Sequence, residues 1–177
     1  LTEEVADLGI ALMLSIARRI PQADKFVRAG SWPSGPFPLA RKVSGARLGI
    51  VGLGRIGQAI ADRAAAFGMS IAYTTRTRRD DSPYTYYPSA AALAAEVDFL
   101  MVITPGGEGT RGLINAQVLA ALGAKGYLIN VARGSVVDQP ALIHAVTTGV
   151  IAGAALDVFA DEPNVPVELR ECDNVVL

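Results

Sequence analysis

Hydrophobic and polar positions change their period several times along the chain. The middle of residues 2–20 is apolar on almost every side of a helical projection, with Thr2 placed to cap, Glu3 and Glu4 at the positive end of the dipole, and Arg18 and Arg19 at the negative end. The pattern predicts a helix over 2–20 that Pro21 stops, buried against something because it lacks a wide polar face. A second short helix, 22–29, ends at Gly30 and leads into "SWPSGPFPLARKVS" (31–44), a Pro/Gly-rich connection without periodicity. From 46 onward short apolar runs recur at 47–52, 70–74, 97–104, 126–132, 152–158 and 174–177. Ala-rich helical stretches lie between them, near 55–67, 89–95, 115–122 and 139–148. Ser89, Asn115 and Asp138 sit at N-cap positions, and Pro140 falls in a first turn, where a missing N–H costs nothing.

Runs that are apolar at nearly every position imply strands buried on both faces, and helical crossovers between them imply parallel pairing. The expected fold class is therefore α/β: a doubly wound parallel sheet preceded by a linker helix. Composition agrees. The 177 residues suit one large domain, and 51% hydrophobic against 19% charged residues allow a substantial core. Sixteen basic and 17 acidic residues give a net charge of −1, which points to neither nucleic acid nor an anionic membrane as partner. One cysteine, Cys172, excludes an internal disulfide and favours a reducing, cytoplasmic compartment. With one histidine, His144, beside that cysteine, no metal site is expected. "LGIALMLSIA" (8–17) is too short to span a bilayer, and acids precede it where a signal peptide would be basic. The chain opens on Leu1 rather than methionine, so a piece of a longer protein is expected.

"GLGRIG" (52–57) follows one predicted strand and opens a predicted helix, the context in which a G-x-G-x-x-G run binds a dinucleotide. Gly52 allows the tight turn, Gly54 admits the pyrophosphate to the backbone, and Gly57 lets helix and strand pack closely; the helix N-terminus then faces the anion. The fold is thus a Rossmann-type dinucleotide-binding domain over 45–177, with 1–44 as linker or dimerisation helices and loop. NAD recognition ordinarily places an acid at the end of the second strand. Here "TTRTRR" (74–79) stands there, and the nearest acids, Asp80 and Asp81, lie beyond three arginines. Arg76 between Thr75 and Thr77 offers a guanidinium and hydroxyls to a 2′-phosphate, with Arg78 or Arg79 as candidate additions. A charged hydrogen bond worth about 1.5–3 kcal/mol would favour NADPH over NADH by roughly ten- to a hundredfold. NADP(H) is the preferred coenzyme, with NAD(H) usable. A missing acid also argues against S-adenosylmethionine.

Ligands of open α/β sheets sit beyond the carboxyl ends of the strands. There "INVARGSVVD" (129–138) places Arg133, "AALDVFADEP" (154–163) places Asp157 and Glu162, and "ITPGGEGT" (103–110) borders the coenzyme groove. Together with "VGLGRIG" and the helix "EEVADLGIALMLSIARRIP", these stretches, in this order, resemble the D-isomer-specific 2-hydroxyacid dehydrogenases over essentially the whole chain. "TRTRR" is most similar to the NADPH-preferring glyoxylate/hydroxypyruvate and hydroxyphenylpyruvate reductases of that family. The resemblance implies that Leu53, Gly54, Arg55 and Ile56 meet the pyrophosphate and that Thr75, Arg76 and Thr77 hold the 2′-phosphate. It implies that Val131, through its backbone, and Asp157 bind the nicotinamide. It makes Arg133 the holder of the substrate carboxylate and Glu162 the partner that keeps a catalytic histidine protonated.

In the family that histidine follows the strand that "DNVVL" begins, and this sequence ends before it; His144, within "PALIHAVTTG", reads as a helix-surface residue. The expected substrate is a small 2-oxo or 2-hydroxy acid, and residues 1–177 by themselves are expected to bind NADPH with little turnover. Two other readings compete: a non-catalytic dinucleotide sensor of the corepressor type, against which Arg133 and Glu162 argue, and a structural dimerisation module. Helix 8–17 is expected to mediate a homodimer, both because so apolar a face is hard to leave in water and because the family uses the corresponding helix so. Trp32 reads as a packing or interface residue, and Cys172 as inert.

Overall fold

The structure, a computed structural model, describes residues 1–177. Two helices, α1 (Thr2–Arg18) and α2 (Ile20–Arg28), lead through the 31–44 connection into β1 (Arg47–Val51). There follow α3 (Arg55–Ala66), β2 (Ser70–Thr74), β3 (Thr85–Tyr86), α4 (Ala90–Ala94), β4 (Phe99–Val102) and α5 (Ala116–Leu122). The chain closes with β5 (Tyr127–Asn130), α6 (Gln139–Thr148), β6 (Gly153–Leu156), α7 (Val167–Arg170) and β7 (Val175–Val176). Every strand pair is parallel and the order is β3-β2-β1-β4-β5-β6-β7, so the chain winds outward in both directions from β1. The turn after β1 therefore opens at the switch point, where such sheets bind ligands.

Burial on both faces explains the unbroken apolar runs. In β4, Phe99 and Met101 enter the core beneath α1 and α3, whereas Leu100 and Val102 enter the one beneath α4, α5 and α6. The two cores are nearly equal, 21 and 23 buried residues, so neither sheet face is left to water. All three anticipated caps form. Ser89 Oγ accepts from the Ala92 N–H, Asn115 Oδ1 from Val118 and Asp138 Oδ1 from Ala141, each at 3.1 Å. Strand β3 and helix α7 lie outside the predicted pattern; two and four residues are too few to show a period.

The N-terminal helix departs from expectation in three ways. Leu1, not Thr2, takes the N-cap position, with no side-chain bond. Arg19, with φ 54° and ψ 42° in the left-handed region, ends α1, and its N–H reaches the carbonyls of Ile16 and Ser15. Pro21 then sits in the first turn of α2, so it opens a helix instead of stopping one. Most of the apolar face expected to mediate self-association is covered by the chain itself. Ala6, Ile10, Met13, Ile16 and Ala17 are buried as α1 packs on α3 and across β5, β6 and β7. Exposed apolar side chains lie mostly elsewhere: Ile20 and Val27 on α2, then Trp32 and Leu39. No helix is long and apolar enough to cross a membrane.

Candidate functional site

The glycine loop is built as its spacing requires. Gly52 has φ 103°, and a Cβ there would stand 2.8 Å from the backbone of Thr104 on the neighbouring loop. A Cβ on Gly57 would overlap the Gly52 carbonyl, so glycine there lets α3 lie against the turn. Gly54 is the opposite case: nothing lies within 4 Å of the Cβ it lacks, and it caps α3 with no side-chain bond. An open, side-chain-free backbone at a helix N-terminus is a cradle for an anion. Leu53 turns its side chain into the core, and Ile56 packs partly against it, while Arg55 is exposed.

A cleft of about 760 Å³ runs from this cradle between the end of β2 and the 104–110 loop. Gly52, Leu53, Gly54, Thr75 and Arg76 line it, opposite Thr104 and Gly106. Arg76 is exposed there with neither an ion pair nor a hydrogen bond of its own. Thr75 donates its hydroxyl to the Thr77 carbonyl at 2.7 Å, which bends the loop. Arg79, an anticipated addition to the phosphate set, is engaged elsewhere. It pairs with Asp81 (2.7 Å) and donates to the Leu53 carbonyl at 2.6 Å. That pairing raises the guanidinium's pKa and lowers that of Asp81, chiefly through the hydrogen bond between them.

Thr77, Arg55, Ile56, Gly57, Val131, Arg133, Asp157 and Glu162 lie outside this cleft's lining. The last four follow β5 and β6, which are neighbours. Arg133 is nevertheless next to the cleft, because a Cβ on Gly106 would stand 3.0 Å from its Cγ. Gly106 thus leaves room for the arginine's stem. Arg133 Nη1 donates to the Ala132 carbonyl at 2.7 Å, and the side chain remains exposed. Gly134 then presses on the backbone of Phe159, where any Cβ would collide, which locks the arginine loop to the 157–162 loop. In that second loop Glu162 Oε1 accepts the Phe159 N–H at 3.0 Å. Asp157 is exposed, its N–H donating to the Asn130 carbonyl at 3.0 Å. Val131 is buried and its N–H reaches the Val102 carbonyl at 3.2 Å. His144 is exposed in mid-α6, and Cys172 is a half-buried thiol whose pKa burial and two neighbouring acids push up.

Sequence reasoning missed Asn130. It is 1% exposed at the end of β5, accepts the Ala132 N–H at 3.0 Å and donates to the Arg133 carbonyl at 3.1 Å. A single amide thereby shapes the turn that presents the arginine. The available signal was one polar residue closing an apolar run three positions before it.

Residues 10–177 match the family model for the D-isomer specific 2-hydroxyacid dehydrogenase, NAD binding domain. The chain belongs to the D-isomer-specific 2-hydroxyacid dehydrogenases. Within this dehydrogenase family it is similar to glyoxylate/hydroxypyruvate reductase A of Arabidopsis thaliana, 52% identical over the whole chain and 56% of the relative. It is 50% identical to hydroxyphenylpyruvate reductase of Plectranthus scutellarioides, again over all of this chain and 56% of that one. Among solved structures it resembles the NADPH-dependent glyoxylate/hydroxypyruvate reductase of Sinorhizobium meliloti in complex with NADP and malonate. The TM-score is 0.96 and the identity 53%, covering 100% of this chain and 56% of that one. The chain thus spans little more than half the length of these dehydrogenases and constitutes their NAD(P)-binding domain.

Proposed function

We propose that the protein reduces a small 2-oxo acid of the hydroxypyruvate or glyoxylate type to the D-2-hydroxy acid, with NADPH preferred and NADH usable. The observation that carries this is Arg76: an unpaired guanidinium on the cleft, where an NAD-selective site would present an acid. The cradle fits a dinucleotide, since Gly54 leaves its backbone open and Gly52 and Gly57 hold the turn beneath it. Backbone of Leu53, Gly54, Arg55 and Ile56 would meet the pyrophosphate, Thr75, Arg76 and Thr77 the 2′-phosphate, and Val131 and Asp157 the nicotinamide. The coenzyme supplies hydride chemistry when bound; the residues here orient and polarise. Arg133 would grip the substrate carboxylate as a fork and draw charge onto the keto oxygen. Glu162 spends Oε1 on Phe159, which leaves Oε2 for an imidazole that would donate the proton.

The test is a titration of the full-length protein with NADPH and NADH, before and after Arg76→Ala. NADPH binding should weaken by roughly ten- to a hundredfold with NADH little changed; an unaltered preference would overturn the phosphate assignment. Turnover of a panel of 2-oxo acids with NADPH separates an enzyme from a sensor.

The same reading includes a homodimer through the N-terminal segment 1–44, a linker to the rest of the enzyme. Its support is the exposed Ile20, Val27, Trp32 and Leu39, and sedimentation equilibrium checks it. It also includes a cytoplasmic location, supported by a lone thiol and no disulfide, which fractionation would check. Neither nucleic acid nor membrane has a part in it.

A further inference from the structure

Loop 75–79 is held at both ends by hydrogen bonds from two tyrosines. At its start, the Tyr86 hydroxyl donates to the Thr75 carbonyl at 3.4 Å. At its end, the fully buried Tyr73 hydroxyl accepts the Arg79 N–H at 2.9 Å and donates to the Arg79 carbonyl at 3.1 Å. The two phenol rings lean on each other with centroids 5.5 Å apart. The Arg79 side chain then crosses to the glycine loop, where Nη1 donates to the Leu53 carbonyl at 2.6 Å. Asp81 holds the other side of that guanidinium, taking Nε at 3.1 Å and Nη2 at 2.7 Å.

We propose that Arg79 is a positioning residue that ties the loop carrying Arg76 to the glycine loop, so that one latch sets the geometry of both anion subsites. The proposal rests on the dinucleotide reading of the cleft. Leu53 lies between Gly52 and Gly54, and a guanidinium on its carbonyl fixes the peptide plane whose far side presents the Gly54 N–H. The direction of the Arg79 fork matters here. Three of its donors are already taken, by two carboxylate oxygens and one carbonyl. Arg76, three residues earlier, has none taken. A division of labour follows: Arg76 touches the ligand, and Arg79 holds the frame. Asp81 is part of the frame, an acid kept off the coenzyme by its partner.

Division of labour gives the variants distinct signatures. Arg76→Ala should weaken NADPH alone. Arg79→Ala should weaken NADPH and NADH together, by about tenfold each, because the glycine loop serves both. Arg79→Lys should restore part of the loss, since an ammonium reaches the carbonyl but cannot form the fork. Asp81→Ala is the sharpest case. As part of a latch, its loss weakens both coenzymes a few-fold; were Arg79 a phosphate ligand, freeing it would tighten NADPH.

The experiment is fluorescence titration of full-length wild type and these variants with NADPH and NADH, with thermal melts to show that each variant is folded. Parallel losses for Arg79→Ala and weakened NADPH binding for Asp81→Ala support the latch. A loss confined to NADPH in Arg79→Ala, or tighter NADPH binding in Asp81→Ala, overturns it. Failure of the wild type to bind either coenzyme would instead sink the dinucleotide reading itself.

Discussion

Asn130 shows how much of a site can depend on a residue without charge or reactivity. Both halves of its amide are used within one turn, on the Ala132 N–H and the Arg133 carbonyl. Asn130→Ala would leave a buried donor and an acceptor without partners, at a cost of about 1–3 kcal/mol. For a domain of this size that is a fall in Tm on the order of 2–12 °C. On the proposed function, in which the same turn presents Arg133 to the substrate, KM for the 2-oxo acid should rise more than KM for NADPH. Calorimetry and steady-state kinetics check the two halves; equal changes in both KM values would mean that Asn130 only stabilises the fold. The place of Arg133, just past a buried strand, was legible in the sequence because charge at the end of an apolar run stands out. Asn130 was not, because its role lies in two backbone partners that only the folded turn supplies.

At the level of elements, what could be read was what has a period or a cap. The crossovers, the parallel sheet and the helices begun by Ser89, Asn115 and Asp138 follow from local chemistry alone. The break at Arg19 did not, because an arginine in the left-handed region gives no signal in composition, while Pro21 gives a strong one that has two meanings. Nor could contact between the loops after β5 and β6 be read, although Gly134 encodes it. A Cβ at 134 would meet backbone rather than a flexible side chain, so something in the main chain must shift. Gly134→Ala should therefore part the arginine loop from the Glu162 loop. A misplacement near 1 Å can cost about a hundredfold in rate, so on the proposed function kcat/KM should fall by about that much while NADPH binding, assigned there to the glycine loop, survives. Loss of coenzyme affinity on the same scale as kcat/KM would show that the substitution disturbs the whole sheet edge.

Across the whole molecule, the site end and the opposite end of the sheet depend on different interactions. The carboxyl edges carry loops shaped by glycines and single amides. At the amino edge, Asp98 collects the Arg47 N–H at 2.9 Å, the Arg47 guanidinium at 3.2 Å and Arg41 Nη2 at 3.0 Å. It thereby ties the end of the 31–44 connection to β1 and β4, close to where the Arg41 N–H meets the Ala17 carbonyl of α1. Burial pushes the Asp98 carboxyl up, but the Arg47 hydrogen bonds and the charges of Arg47 and Arg41 outweigh it, and its pKa lies below the ordinary value. A carboxylate with a depressed folded pKa contributes stability above its unfolded pKa, near 4, and loses it as pH falls through the folded value. At neutral pH Asp98→Asn should cost about 1–3 kcal/mol, since two arginines lose a charged acceptor. The difference in Tm between wild type and variant should hold from pH 7 to about 5 and then shrink towards pH 3, as protonation makes the wild-type side chain resemble the amide. Thermal unfolding followed across that range measures it. Because the other carboxylates are common to both proteins, their titration cancels in the difference. A gap that stays constant through pH 3 would mean that Asp98 acts by shape and neutral hydrogen bonding rather than by charge.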